Sequence, residues 1–220
     1  MKKNNNTELI FILDRSGSMS GLESDTIGGF NSMLERQKEQ EGEVRVTTVL
    51  FDDRYELLHD RVPLSQVPPL TREQYYVRGC TALLDAMGRT IHRMAQARRS
   101  APEAERPDKV LFVITTDGLE NASRRFRARD VRAMVERTRE KFGWEYLFLG
   151  ANIDAIAAAA EVGISARHAV DFHPDAQGVG TCFASLNRAC SSFRASDCEC
   201  LDDGWKADIE ADFRSRKSRR

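Results

Sequence analysis

Two runs in which every residue is apolar, Leu-Ile-Phe-Ile-Leu at 9–13 and Val-Leu-Phe-Val-Ile at 110–114, most constrain what this chain can fold into. Successive side chains of a strand point to opposite faces, so a strand with no polar residue must be covered on both sides. That requirement excludes a sheet with one wet face and calls for helices above and below. Helical spacing is present along the chain: Ile27, Phe30 and Leu34; then Leu84, Met87, Ile91 and Met94; then Val131, Met134, Val135 and Thr138; finally Cys182, Leu186, Ala189 and Phe193. An Ala-rich stretch at 153–162 adds one more helix.

Further strands are expected at 44–51 and 146–149, with a short edge strand at 169–172. Asp52-Asp53 signals a turn after which 55–59 runs back antiparallel. Three prolines mark 62–69 as loop. Gly28-Gly29 inside the first helix costs helix stability, which suggests a close approach of that helix to the sheet. The alternation predicts an α/β, three-layer, Rossmann-like domain. Its sheet is six-stranded and mostly parallel, with one antiparallel edge strand and helices on both faces. A chain of 220 residues suits one such domain, expected over 8–195 between a polar N-terminal extension, 1–7, and a charged C-terminal tail, 196–220.

In such sheets ligands sit beyond the carboxyl ends of the strands. There the sequence places Asp14-Arg15-Ser16-Gly17-Ser18 after one apolar run and Thr115-Thr116-Asp117-Gly118 after the other, while Thr81 opens a helical pattern between them. Asp14, Ser16, Ser18, Thr81 and Asp117 offer two carboxylates and three hydroxyls. This hard-oxygen set suits Mg²⁺ or Mn²⁺. Alternate side chains of a tight loop can turn toward one point, and Gly17 permits the turn. Each piece alone has an ordinary meaning, since Ser-rich turns, Asp and Ser helix caps and T-D-G turns are common. Their joint order, each at an expected strand or helix end, carries the metal reading. Asp52 and Asp53 read as turn residues and Asp85 as a helix-dipole partner. Glu120 and Asn121 read as loop or cap residues, with a supporting role behind the metal as the alternative.

The order D-x-S-x-S, a threonine before a helix, then T-D-G after a central strand resembles the von Willebrand factor type A (VWA) domain, with its metal-ion-dependent adhesion site, or MIDAS. The resemblance spans residues 8–193. I-L-D-R-S-G-S-M at 12–19, T-T-D-G-L-E-N at 115–121 and F-L-G-A-N at 148–152 are similar to the bacterial cytosolic members. The resemblance implies that Ser16 and Ser18 bind the metal directly, and that Thr81, Asp14 and Asp117 do so directly or through water. It also implies a protein partner that presents an Asp or Glu to the cation. Cys80 stands where the family is expected to have Gly or another small residue.

Other features bound the function. Net charge is −1, so no global field draws the chain to nucleic acid or an anionic membrane. No apolar run is long enough to span a membrane and the N-terminal segment lacks a signal-peptide pattern, so a cytoplasmic location is expected. Cys80, Cys182, Cys190, Cys198 and Cys200 are odd in number and clustered late, which argues against a disulfide framework. The Cys198/Cys200 pair lacks the companions of a soft-metal site. Arg124, Arg125, Arg127 and Arg129 read equally as a basic rim for acidic partners or as a solvated loop. Trp205, Ile209 and Phe213 suggest a short helix before Arg214, Arg216, Lys217, Arg219 and Arg220. A frayed, solvated end is favoured there over docking on an acidic partner or nucleic acid.

The rival reading is a Mg²⁺-dependent phosphotransferase or phosphatase with Asp14 as nucleophile. It resembles the haloacid-dehalogenase-like phosphatases, except that Ser16 replaces the second Asp of D-x-D-x-T. No P-loop or G-x-S-x-G occurs, and His59, His92, His168 and His173 have neither metal-ligand spacing nor a paired nucleophile. The expectation is a metal-dependent protein-binding module, not an enzyme.

Overall fold

A computed structural model describes residues 6–196 and 201–217. Its six-stranded sheet has the order β3-β2-β1-β4-β5-β6. β1 (Thr7–Asp14) and β4 (Lys109–Thr116) are central and parallel, with Leu13 opposite Thr115. β2 (Val44–Phe51) flanks β1 in parallel, and β3 (Tyr55–Pro63) closes that side antiparallel. β5 (Glu145–Ala151) and β6 (Ala169–Phe172) continue the parallel side.

The apolar runs are buried on both faces, as their composition requires. Leu9, Phe11 and Leu13 pack in one layer with α1 (Glu23–Lys38) and α5 (Ala176–Ala195). Ile10 and Ile12 pack in the other with α2 (Leu83–Ser100), α3 (Ala128–Phe142) and α4 (Ala155–Glu161). Each such side chain contributes about 1.5–3 kcal/mol by leaving water, which anchors β1 firmly under the loop that follows it.

Several boundaries differ from expectation. β3 continues through Pro63 instead of ending at 59. Pro63 is tolerated because it lies at the outer end of an edge strand, where a missing N–H breaks no ladder. The pairing with β2 shifts register around Thr48, and Arg61 adopts a left-handed φ of 54° there. Gly29 does mark a close approach, but to α5: a Cβ at Gly29 would collide with the Phe183 ring, while Gly28 has open space around it. The contact is helix to helix, not helix to sheet.

The C-terminal segment also departs from the solvated end that was favoured. A 3-10 turn (Asp203–Lys206) leads into α6 (Ala207–Lys217). Trp205 and Ile209 are buried, and Trp205 Nε1 donates to the Arg167 carbonyl at 3.0 Å. His173 stacks on Phe213, and Arg216 pairs with Asp175 and Asp212. Two large apolar side chains that find a wall outweigh the fraying entropy of an end. Cys198, Cys200, Arg219 and Arg220 lie outside the described residues. Cys182 and Cys190 are buried free thiols and Cys80 is an exposed one. No helix among the described residues is long and apolar enough to cross a membrane.

Candidate metal centre

The chain leaves β1 for β2 on one side and later returns to β4 on the other, so winding reverses between β1 and β4. Loops diverge at such a point and leave a crevice at the carboxyl ends of the two strands. Asp14 is the last residue of β1, Thr116 the last of β4, and Thr81 lies just before α2.

Three hydroxyls meet in this crevice. Ser16 Oγ is 3.0 Å from Ser18 Oγ, and Thr81 Oγ1 donates to Ser16 Oγ at 3.0 Å. Gly118 borders the same point. A Cβ there would lie 2.9 Å from Ser18 Oγ and 3.0 Å from Thr81 Oγ1, so only glycine leaves the space open.

The carboxylates frame the hydroxyls. Asp14 Oδ1 accepts the Ser16 amide at 2.7 Å and Oδ2 accepts the Thr116 hydroxyl at 2.6 Å. The Asp14 carbonyl accepts the Tyr75 hydroxyl. Asp117 Oδ1 accepts Asn152 Nδ2 at 2.5 Å, and Asn152 is held at a left-handed φ of 54°. Burial pushes the Asp14 carboxyl up despite hydrogen bonds from Thr116, Ser16 and the Asp117 amide. Burial likewise raises Asp117, to about 6; Asn152 opposes the rise and the Asp14 charge adds to it. Two desolvated carboxylates thus stand close enough to repel, and among the described residues no cationic side chain bonds to either.

This donor set fits a hard divalent cation. Octahedral Mg²⁺ with bonds of about 2.1 Å places neighbouring oxygens about 3.0 Å apart, which is the distance from Ser16 Oγ to each of the Ser18 and Thr81 hydroxyls. Among the described residues no group of three or more His, Cys, Asp or Glu assembles. Any cation held here would therefore rest on a hydroxyl-rich set, not on a carboxylate cage.

Residues read as loop, cap or dipole partners support the crevice through specific bonds. Asn121 Oδ1 accepts the Thr81 amide at 2.9 Å, and the Thr81 carbonyl accepts the Asn121 and Ala122 amides. Glu120 caps α2 from outside by accepting the Leu84 amide at 2.9 Å. Asp85 is more than a dipole partner: its carboxylate accepts the amides of Arg124, Arg125 and Phe126 and pins the arginine-bearing loop onto α2.

Asp52 is the main correction, since it is buried and is no simple turn residue. Its Oδ2 receives Arg15 Nε at 2.9 Å and Arg78 Nε at 2.7 Å, and Oδ1 receives the Arg54 amide at 2.7 Å. Arg15 also reaches Glu56 and the Gln74 carbonyl. Burial pushes the Asp52 carboxyl up, but the bonds from Arg78, Arg54 and Arg15 outweigh it and hold it below its ordinary value. The cluster ties the Asp14–Ser18 loop to the segment that leads to Thr81. The register explains part of it: Asp14 is opposite Phe51, so Arg15 and Asp52 leave adjacent strands side by side.

No family model matches the sequence, and no curated protein matches it. Solved structures share the fold. The PilB minor pilin from Streptococcus sanguinis aligns at 12% identity and a TM-score of 0.57, over 94% of this chain and 64% of that one. Proximal thread matrix protein 1 from the mussel byssus, with a zinc-occupied MIDAS motif, aligns at 15% identity and 0.55, over 84% and 46%. A von Willebrand factor type A structure from Catenulispora acidiphila aligns at 14% identity and 0.52, over 84% and 42%. The chain thus spans roughly half to two thirds of the length of these structures. At such identities the likeness speaks for the fold alone, which is VWA-like.

Proposed function

We propose that this chain is a VWA-type protein-binding module in which Asp14, Ser16, Ser18, Thr81 and Asp117 hold Mg²⁺ or Mn²⁺ and a partner protein contributes an Asp or Glu. The observation that carries the reading is the Ser16 hydroxyl at cation-edge spacing from the Ser18 and Thr81 hydroxyls, beside two desolvated carboxylates whose pKa values burial raises. When bound, the cation would supply an electrophilic open position for an incoming carboxylate. Ser16, Ser18 and Thr81 donate oxygen without charge, so the cation's charge stays incompletely neutralised and a carboxylate contact is favoured. Gly118 keeps the approach clear. Arg124, Arg125, Arg127 and Arg129 follow the Asp117 loop and would favour an acidic partner surface. The sequence wording at 12–19 and 115–121 suggests a bacterial cytosolic setting.

The phosphotransferase alternative fits less well. Asp14 is fully buried and both of its carboxylate oxygens already accept hydrogen bonds, so in-line attack on a phosphorus would require breaking the frame. Calorimetric titration with Mn²⁺, followed by affinity capture from the native cell with and without EDTA, tests the proposal. Wild type should bind the metal and retain a partner only without chelator, and Asp14→Ala should do neither. Capture that survives EDTA would move the interface elsewhere. Mg²⁺-dependent phosphatase turnover lost in Asp14→Asn would favour the rival.

A further inference from the structure

At the far end of the sheet from Asp14, α2 and α3 enclose a cleft of about 560 Å³. The seam between these helices is closed near the start of α2, where the Phe126 ring packs onto Gly88 so tightly that a Cβ would collide with it. Farther along, cations occupy stripe positions that would carry apolar residues in a closed helix pair. Ile91, Ala95, Arg98 and Arg99 follow one stripe of α2 into the cleft, and Met134, Arg137, Thr138 and Lys141 follow one stripe of α3. Phe142 completes an apolar floor and Arg106 comes from the segment before β4. Five cationic side chains line this cleft and no carboxylate does, in a chain whose net charge is −1.

Part of this charge has a structural use. Arg98, Arg99 and Lys141 lie in the last turns of their helices, where cations complement the dipole. Arg98 also donates to the Pro107 carbonyl, and Arg106 to the Arg98 and Ala101 carbonyls. Arg99, Arg137 and Lys141 have no hydrogen-bond or ion-pair partner among the described residues. A dipole requires neither their convergence from two helices nor an apolar floor beneath them.

We propose that this cleft is a binding site for a small organic anion, an acidic headgroup on an apolar or aromatic body. The guanidinium forks suit a carboxylate, sulfonate or phosphate oxygen pair. The floor of Ile91, Ala95, Met134 and Phe142 suits the body. The volume falls in the range of about 300–1,000 Å³ typical of small-molecule sites, whereas a protein partner would need a far broader surface. The cleft shares no residue with the candidate metal centre, so occupancy should be independent of metal.

The probe is 1-anilinonaphthalene-8-sulfonate, titrated by fluorescence into the native protein at low salt. Saturable one-to-one binding is expected, with octanoate competing and acetate failing to compete. Arg137 and Lys141 are exposed, so the Arg137→Glu/Lys141→Glu variant should keep its near-UV circular dichroism while its affinity falls at least about tenfold. Ala95→Trp should fill the floor and abolish binding with all five cations still present. Asp14→Ala and EDTA should change nothing. Equal binding by the charge-reversed variant, or acetate competing as well as octanoate, overturns the proposal. So does retention on phosphatidylglycerol vesicles that the charge-reversed variant loses, because that outcome assigns the cations to a lipid surface.

Discussion

Two polar clusters, each built on buried groups, share the carboxyl end of the sheet and differ in charge balance. In the first, Asp52 and Glu56 face Arg15 and Arg78, so each charge has an opposite charge and a good hydrogen bond. In the second, Asp14 and Asp117 face hydroxyls, amides and each other. Only Arg15 separates Asp14 from Ser16 in sequence, so one short loop serves both clusters. The difference separates a cross-link from a site. The compensated cluster resists removal of a member, because what remains is a buried unpaired charge. The uncompensated cluster is held open by its surroundings and gains from whatever brings positive charge.

The largest effect should come from the balanced cluster. Asp52→Ala leaves the buried Arg15 with only the half-exposed Glu56 carboxylate and the Gln74 carbonyl and should cost about 3 kcal/mol in a urea melt. A loss under about 1 kcal/mol would mean that water reaches Arg15 and would break the comparison.

Next in size is the metal response. At free Mn²⁺ near a hundred times its dissociation constant, wild type should gain about 2.7 kcal/mol and Asp14→Ala should gain nothing. Without metal Asp14→Ala should be no less stable than wild type, since it removes a desolvated charge and relieves repulsion on Asp117. A metal-free Asp14→Ala protein that melts well below wild type would place Asp14 in the structural class with Asp52.

A smaller effect is expected from Gly118→Ala. Its methyl group would press on Ser18 Oγ and Thr81 Oγ1, weakening Mn²⁺ about tenfold, or 1.4 kcal/mol. Unfolding in EDTA should scarcely change. Calorimetry showing wild-type affinity would mean that the cation sits away from these hydroxyls.

The last effect is a pH dependence. Asp117 titrates near 6 in the folded chain, above about 3.9 for an unfolded aspartate. The folded state therefore binds its proton first, and metal-free wild type gains stability from this group as pH falls through 6 toward 4. Asp117→Asn should be the more stable protein at pH 7 in EDTA, with the advantage fading over that window. Saturating Mg²⁺ should reverse the order at pH 7. The difference between the two proteins is the quantity to measure, because burial also raises Glu8 and Glu145 and those shifts cancel in it.

The strand and helix order was legible because it rests on local pattern. An all-apolar run such as 9–13 has one stable place, and Ile91 and Met94 can share a face only on a helix. The positions of Asp14, Ser16, Ser18, Thr81 and Asp117 near the carboxyl end of the sheet were legible because each is tied to the end of an element. Their supporting partners were not. Asp52 and Asp53 form a turn in any one-dimensional reading. That Asp52 meets Arg78 follows only from the path of the segment that carries Tyr75 and Thr81 back over the sheet. Glu120 read as a loop or cap residue and Asp85 as a helix-dipole partner, and each binds amides some forty residues away.

Sequence by itself determined the layered architecture and the carboxyl-end position of the hydroxyls and carboxylates, because periodicity, burial and residue chemistry are properties of short segments. Tertiary structure alone decided that Ser18 and Thr81 each stand 3.0 Å from the Ser16 hydroxyl, that Asp52 is a buried ion-pair hub, that α6 docks through Trp205 and Ile209, and that five cations converge between α2 and α3. Those outcomes depend on strand register and helix packing, which relate residues far apart in the chain, and on desolvation, which sets the charge of a group only once its neighbours are in place.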